Sequence, residues 1–551
     1  MTTRKLLALA ALIAPLAAYQ AQAADDATAS AISATAAIAA PAMVQSPFAA
    51  KLAEAIAALP AVNTDPEKKD REALAAFYQA RQHEALWVEG SSLSPKAKAL
   101  IDGIGTADAH GLSARDFKLP EAGAALASPE AQAAAELQLT QAAQTYARFA
   151  RGGRIADPIT MLSPNLDRRP QWIEPKNVLD GLATAPDAGA YLTGLNPKHE
   201  QYERLRKLYV AEIEKSGGKG KLSKLAKHLR ANMEMWRWLP DDMGTQTGAM
   251  AKGMYVFNNV PEFMQYVVRD GEIVRTERIV VGQLDKQSAI FSRPLKYVVL
   301  RPLWRVPESI EVNEIWPGLI KGGRVMTHFG MEVQTKDGKT VDWHKIDWAK
   351  TDIRQYDIVQ PPGPLSVLGH VKFSFPSQHT IYMHDTPDKY MFRSSVRTLS
   401  HGCLRVQNPM ELAEMILKED KGWDADKIAE LNTSGPLNNE VAIDKRIPIH
   451  IVYFTAWVDG DGGLKEFRDI YGHEKRVTLA LDGQWDKIDH GKDDQAPVVA
   501  NFDPATLAAK RRGDTLAAAD DPFAGGGRKR AGSGKDSGGG LGDLLSALFG
   551  G

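Results

Sequence analysis

Cysteine is almost absent: of 551 residues only Cys403 carries a thiol. A single thiol excludes an intramolecular disulfide, so stability has to come from a packed core. Neither sign of charge is in excess. Lysine plus arginine number 67 against 68 aspartate plus glutamate, for a formal net charge of −1, which excludes the global field expected of a nucleic-acid or anionic-membrane binder. Long apolar runs are missing after Ala18, so no later segment reads as a transmembrane helix. The length leaves room for two or three domains.

The termini differ from the middle. Arg4 and Lys5 precede the apolar stretch Leu6 to Ala18, and Ala21-Gln22-Ala23 supplies a small-x-small pattern. Residues 1–23 are therefore expected to be a secretory signal peptide cleaved after Ala23, the rival being an uncleaved anchor. Export of this kind places the mature chain in the periplasm. Residues 24–46, rich in Ala, Ser and Thr, read as a flexible tether. Residues 493–551 drift into Gly and Ala, with Gly525-Gly526-Gly527 and the basic triplet Arg528-Lys529-Arg530. Few large apolar side chains remain there, and a disordered tail is expected.

Between the termini the texture changes once. From 47 to about 250 apolar residues recur at helical spacing, as in Leu52, Ile56 and Leu59 or Leu74, Phe77 and Tyr78, which predicts a helical scaffold domain. Trp87, Trp172, Trp236 and Trp238 read as core or domain-interface packing, the alternative being an aromatic ligand site. From 251 to 475 β-rich runs predominate: Met254 to Val260, Gln265 to Val268, Arg278 to Val281, Tyr297 to Leu300, His379 to His384 and Ile447 to Phe454. A helix is expected to start after Asn408-Pro409. The fold class is α+β, with a stretch at about 313–363 too long for an ordinary connection and read as an insertion.

The lone thiol needs a reason in an oxidising compartment, where an exposed cysteine invites oxidation and exchange. One reading is a buried structural cysteine. The other is a nucleophile whose proton is taken by a nearby histidine, with His384 within hydrogen-bonding reach. Gly402 allows a tight backbone whose amide, with that of Cys403, could face a developing oxyanion. A zinc site using Cys403 with histidines among His370, His379, His384 and His401 is the rival from another class, but the spacing fits no common zinc pattern. No metal and no cofactor is expected.

The segment Ser400-His401-Gly402-Cys403-Leu404-Arg405-Val406 resembles the signature of L,D-transpeptidases with a YkuD-type catalytic domain. Ile381-Tyr382-Met383-His384-Asp385-Thr386-Pro387 resembles the histidine strand of their large YcbB-like multidomain branch, and similar stretches run from about residue 50 to 475, among them Asn232-Met233-Glu234, Trp304-Arg305-Val306-Pro307 and His110-Gly111-Leu112. The resemblance implies an exported cysteine acyltransferase acting on peptidoglycan stem peptides as donor and acceptor. Cys403 would be acylated and His384 would be the base, oriented by the carbonyl or side chain of Asp385. Tyr382 with the amides of Gly402 and Cys403 would shape the oxyanion site, and Ser400, His401 and Arg405 would support the loop or touch substrate. The insertion would cap the substrate. The peptidoglycan-binding module usual in the branch has no room between Tyr202–Glu214 and Leu222–Trp238, and this leans the acceptor toward a 1,3 rather than a 3,3 linkage. Hydrolysis to an L,D-carboxypeptidase product, envelope proteins as acceptors, and a non-catalytic wall-binding scaffold are the alternatives.

Overall fold

The computed structural model describes residues 46–121, 126–215, 221–244, 253–493 and 495–516. The expected signal peptide, nearly all of the tether and the glycine-rich end of the tail lie outside these residues.

Helices account for the first region because their starts are written into the sequence. Ser94, Ser128 and Ser223 each accept a hydrogen bond from the backbone three residues on, and Pro95 and Pro129 occupy the first helical position. The alanine-rich helix Pro129–Gly152 is the central post. It buries Ala133, Leu139, Ala143, Tyr146 and Ala150 against the helices Pro47–Ala57, Asp65–Ala80 and Pro95–Gly105. Small side chains let the neighbouring backbones come close. Trp87, Trp236 and Trp238 are buried as expected, whereas Trp172 is 40% exposed.

The helices Glu200–Lys215 and Lys224–Trp236 form the joint between regions. Tyr202, Leu205, Met233 and Trp236 share one apolar core with Val256, Phe257, Ile449 and Phe454 of the β region. The Trp236 ring stacks on Phe454 at 4.2 Å between centroids, and Asn232 Oδ1 accepts from the amides of Thr455 (2.9 Å) and Ala456 (3.1 Å). The two regions are therefore continuous in their packing.

The β region is an eleven-stranded sheet. From one edge its path runs Asn439–Ala442, Tyr297–Leu300, Val371–Ser374, Met383–His384, Leu404–Val406, Glu272–Gly282, Met264–Arg269, Met254–Asn259, Pro448–Val452 and Ser292–Pro294, and the eleventh strand, Thr398–Ser400, pairs with Glu272–Gly282 off this path. Pro448–Val452 is buried at every position, as an apolar central strand should be. The stretch expected as a strand from His379 is extended only at Met383–His384; Thr380 has φ +52°, which breaks the run ahead of it. The helix after Asn408 spans Pro409–Lys421.

The insertion has its own four-stranded sheet, ordered Thr340–Val341, Glu332–Thr335, Tyr356–Gln360 and Trp304–Arg305. Its separate core holds Val312, Ile315, Trp316, Leu319, Val333 and Ile358. The sheet begins at Trp304, earlier than the sequence suggests, because Trp304 and Arg305 pair with Gln360 and Val359. The tail departs from expectation over 495–516. Val498, Ala500, Phe502 and Leu507 pack on the insertion's core, Phe502 meets Trp316 edge-on, and Arg511 donates to the Ile320 carbonyl (2.9 Å). Its few apolar side chains suffice because they meet a preformed apolar face.

Candidate active site

Two short parallel strands create the site. Met383 pairs with Leu404 and His384 with Arg405, and the Leu404 amide extends the ladder by donating to the Tyr382 carbonyl (3.0 Å). Strand side chains alternate between faces. Met383 and Leu404 point into the main core. Tyr382, His384, Cys403 and Arg405 consequently share the opposite face, where Tyr382 packs against the insertion's core.

Cys403 is half-buried and free. Burial pushes its thiol above the ordinary range; the Tyr382 amide, the Lys372 ammonium, the Tyr382 hydroxyl and the Arg405 guanidinium oppose that rise. The amide and the hydroxyl of Tyr382 thus donate to the sulfur. Lys372 lies over the Tyr382 ring at 4.3 Å from its centroid, and the Trp304 indole of the insertion's first strand bonds the Tyr382 oxygen.

His384 is buried, and its Nδ1 donates to the Asp385 carbonyl at 2.5 Å. That bond places a proton on Nδ1. Burial, reinforced by the positive Arg405 and Lys372, drives the imidazole pKa down to about 3, against the pull of the Asp385 and Val367 carbonyls. The thiol and the imidazole lie on the same face of the paired strands. The Asp385 carboxylate does not reach the ring. It accepts from the amides of His370 (3.0 Å) and Thr386 (2.7 Å) and from Lys389. Gly369, at φ +57°, gives it room, since a Cβ there would stand 2.3 Å from Asp385 Oδ2.

The signature loop is pinned from inside. Ser400 Oγ donates to the Cys403 carbonyl (2.6 Å) and accepts from the Gly402 amide (3.3 Å), and Ser288 Oγ donates to the Gly402 carbonyl (2.6 Å). Gly402 has φ +110°, so glycine is needed there. Its amide, expected to face an oxyanion, is turned to Ser400 instead. Arg405 is committed internally to Thr386 Oγ1 (3.1 Å) and Asp388 (3.3 Å). His401 Nε2 bonds Glu314 of the insertion at 2.7 Å, and Glu314 also takes Lys286 at 2.7 Å. His379 pairs with Asp167 at 3.4 Å. His379, His384 and His401 of the zinc reading have separate partners, and among the described residues no group of three or more His, Cys, Asp and Glu could hold a metal ion.

Lys372, Trp304 and Glu314 are the neighbours that sequence reasoning did not assign. Lys372 alone left a local trace, as the charged residue between Val371 and Phe373, whose side chains are fully buried.

A half-buried thiol, an imidazole and two cations share one sheet face. Residues 253–428 match the YkuD L,D-transpeptidase catalytic domain, and residues 72–208 match a Scaffold domain. The chain thus carries a helical Scaffold domain followed by a YkuD L,D-transpeptidase catalytic domain. A Haemophilus influenzae protein named as a candidate L,D-transpeptidase is 28% identical over 274 residues, 49% of this chain and 52% of that protein. The chain thus spans about half the length of this curated relative. An L,D-transpeptidase from Mycobacterium smegmatis aligns at 12% identity over 36% of this chain and 59% of its own, with a TM-score of 0.16.

Proposed function

We propose that this chain is a periplasmic, cysteine-dependent transpeptidase that crosslinks peptidoglycan stem peptides. The observation that carries the reading is the placement of Cys403 and His384 on one face of paired strands, with the Tyr382 amide and hydroxyl on the sulfur. The Cys403 proton passes to His384 Nε2, and the thiolate attacks the carbonyl at the L-centre of the third stem residue, diaminopimelate, of a tetrapeptide donor. The Tyr382 donors and the Cys403 amide receive the oxyanion. Collapse breaks the bond to the terminal D-alanine, whose amine leaves with the proton from His384, and a thioester remains on Cys403. An acceptor amine then attacks the thioester; its proton returns through His384 to the sulfur as the new amide forms. Water in place of the amine gives tripeptide, and an envelope-protein amine gives protein attachment.

Bound positive charge has a definite part here. Lys372 and Arg405 stabilise the thiolate and, by the same field, keep the imidazole neutral until substrate arrives. The His401–Glu314 bond ties the signature loop to the insertion, which supports the insertion's reading as a cap that limits water. The helices 200–215 and 224–236 are separated only by residues 216–223, too few for a folded wall-binding module. With that module missing, the acceptor we favour is the amine of a stem's first residue, a 1,3 linkage.

The test is direct. The enzyme incubated with sacculi and with amidase-released stem peptides should form dimers, and a carbapenem should add its mass to Cys403. Cys403→Ala should do neither while unfolding at the parent's temperature. Crosslinking retained by Cys403→Ala removes the proposed mechanism. Tandem mass spectrometry locates the new amide, and dimers joined only between two diaminopimelates reject the 1,3 linkage alone.

A further inference from the structure

The scaffold carries a second concave site that takes no part in the acyl chemistry. A cleft of about 180 Å³ opens among the helices Asp65–Ala80, Pro129–Gly152 and Pro175–Thr184. That volume takes one ring-sized group and is too small for a drug-sized ligand. Its wall is Trp172, the aromatic residue that the sequence places in the core and the structure leaves 40% exposed. The indole is fixed in place. It lies over Gly152, where a Cβ would stand 2.2 Å from the ring, and Pro170 borders the same spot.

At the cleft's floor Asp70 and Arg148 form an ion pair with only 16% and 15% of their side chains exposed. Gln144 donates to the Asp70 carbonyl (2.8 Å), which leaves its amide oxygen directed elsewhere. Arg148 spends one terminal N–H on Asp70, and among the described residues no other hydrogen-bond partner is found for its guanidinium. The lining charges cancel: Lys69 and Arg148 against Asp70 and Glu174. A neutral ligand with several hydroxyl groups fits this set better than a charged peptide does. A pyranose ring packs its C–H face on an indole while adjacent hydroxyls span a carboxylate and a guanidinium.

We propose that this cleft is a saccharide subsite that holds one ring of a glycan strand. The choice of glycan rests on the peptidoglycan function proposed above; binding at the cleft does not need the thiol. The experiment is isothermal titration of the full chain, carrying Cys403→Ala to prevent turnover, with the tetramer of N-acetylglucosamine and separately with free stem tetrapeptide. The oligosaccharide should bind, Trp172→Ala should weaken it about tenfold, and Trp172→Phe should recover most of the loss. Thermal unfolding of each variant checks the fold, and Trp172→Phe keeps the test open should Trp172→Ala not fold. Absence of oligosaccharide binding, equal binding by the Trp172 variants and their parent, or a Trp172-dependent site that takes the peptide alone overturns the proposal. Because titration reads binding in the thiol-less chain, such a failure leaves the crosslinking assay of the intact enzyme to stand or fall by itself.

Discussion

The scaffold and the catalytic sheet each bury titratable groups, and they treat them in opposite ways. In the scaffold, Glu136 is fully buried and accepts from the amides of Leu86 (2.6 Å), Trp87 (2.9 Å) and Val88 (3.1 Å) and from the Tyr78 hydroxyl (2.7 Å). Thr140 completes the set through the Trp87 indole (2.8 Å). Every lone pair there has a donor, so the carboxylate staples the 86–88 segment to the central helix. At the sheet face His384 has backbone carbonyls, those of Asp385 and Val367, as partners, and burial with two nearby cations keeps the ring neutral. A saturated carboxylate serves as a support, whereas a neutral buried imidazole suits the proton-accepting role proposed for it.

The largest effect that sharpens this comparison is at His384. His384→Ala should cut acylation of Cys403 at neutral pH by about 10²–10⁴-fold, the range for a positioned general base. Part of the rate should return at high pH, where the thiol ionises unaided. Parental rates at neutral pH in stopped-flow acylation would take the base role from His384. Glu136→Ala should cost about 3 kcal/mol in chemical denaturation, because four donors, two of them buried, lose their acceptor. It should leave the rate per folded molecule unchanged.

A subtler contrast concerns Lys372. Lys372→Met should slow alkylation of Cys403 by iodoacetamide severalfold and move its pH profile upward, since one nearby cation is lost. An unmoved profile would mean that the Tyr382 donors alone tune the sulfur. Glu314→Gln weakens the bond from insertion to signature loop. It should raise the ratio of tripeptide to dimer about fivefold, equivalent to roughly 1 kcal/mol for one hydrogen bond. Chromatography of the products reads that ratio.

Acid should destabilise the protein. Burial holds His384 and His450 at about 3, and His110 and His199 at about 4, whereas unfolding restores the ordinary 6.5. Below that value the unfolded chain binds more protons, so stability is fully present above about pH 6.5 and is lost as pH falls toward 3 to 4. Asp70, raised to about 6, and Glu311, raised to about 7, work in the opposite sense as pH rises through those values. His473 is lowered as well, and Glu136 and Glu262 are raised; the histidines carry the larger effect, and the unfolding temperature should drop between pH 7 and pH 5. A midpoint that rises over this interval would show that the carboxyls prevail.

What the sequence determined by itself is what local pattern can carry. Helical spacing marked the scaffold, serine and proline marked its helix starts, and the lone cysteine beside a glycine, with a histidine nearby in the chain, marked the pair proposed to react. Only the tertiary structure decided which groups surround that pair. The turn at Thr380 shortens the histidine strand, the Gly402 amide goes to Ser400, and the Asp385 carboxylate goes to a neighbouring turn and leaves the imidazole to a carbonyl. Lys372, Trp304 and Glu314 reach the site from three separate elements, and Val498 to Leu507 find an apolar face on the insertion. The reason is physical. Periodicity and capping are set by residues three or four apart, whereas strand pairing and burial join residues far apart in the chain, and no short stretch of sequence records its distant partner.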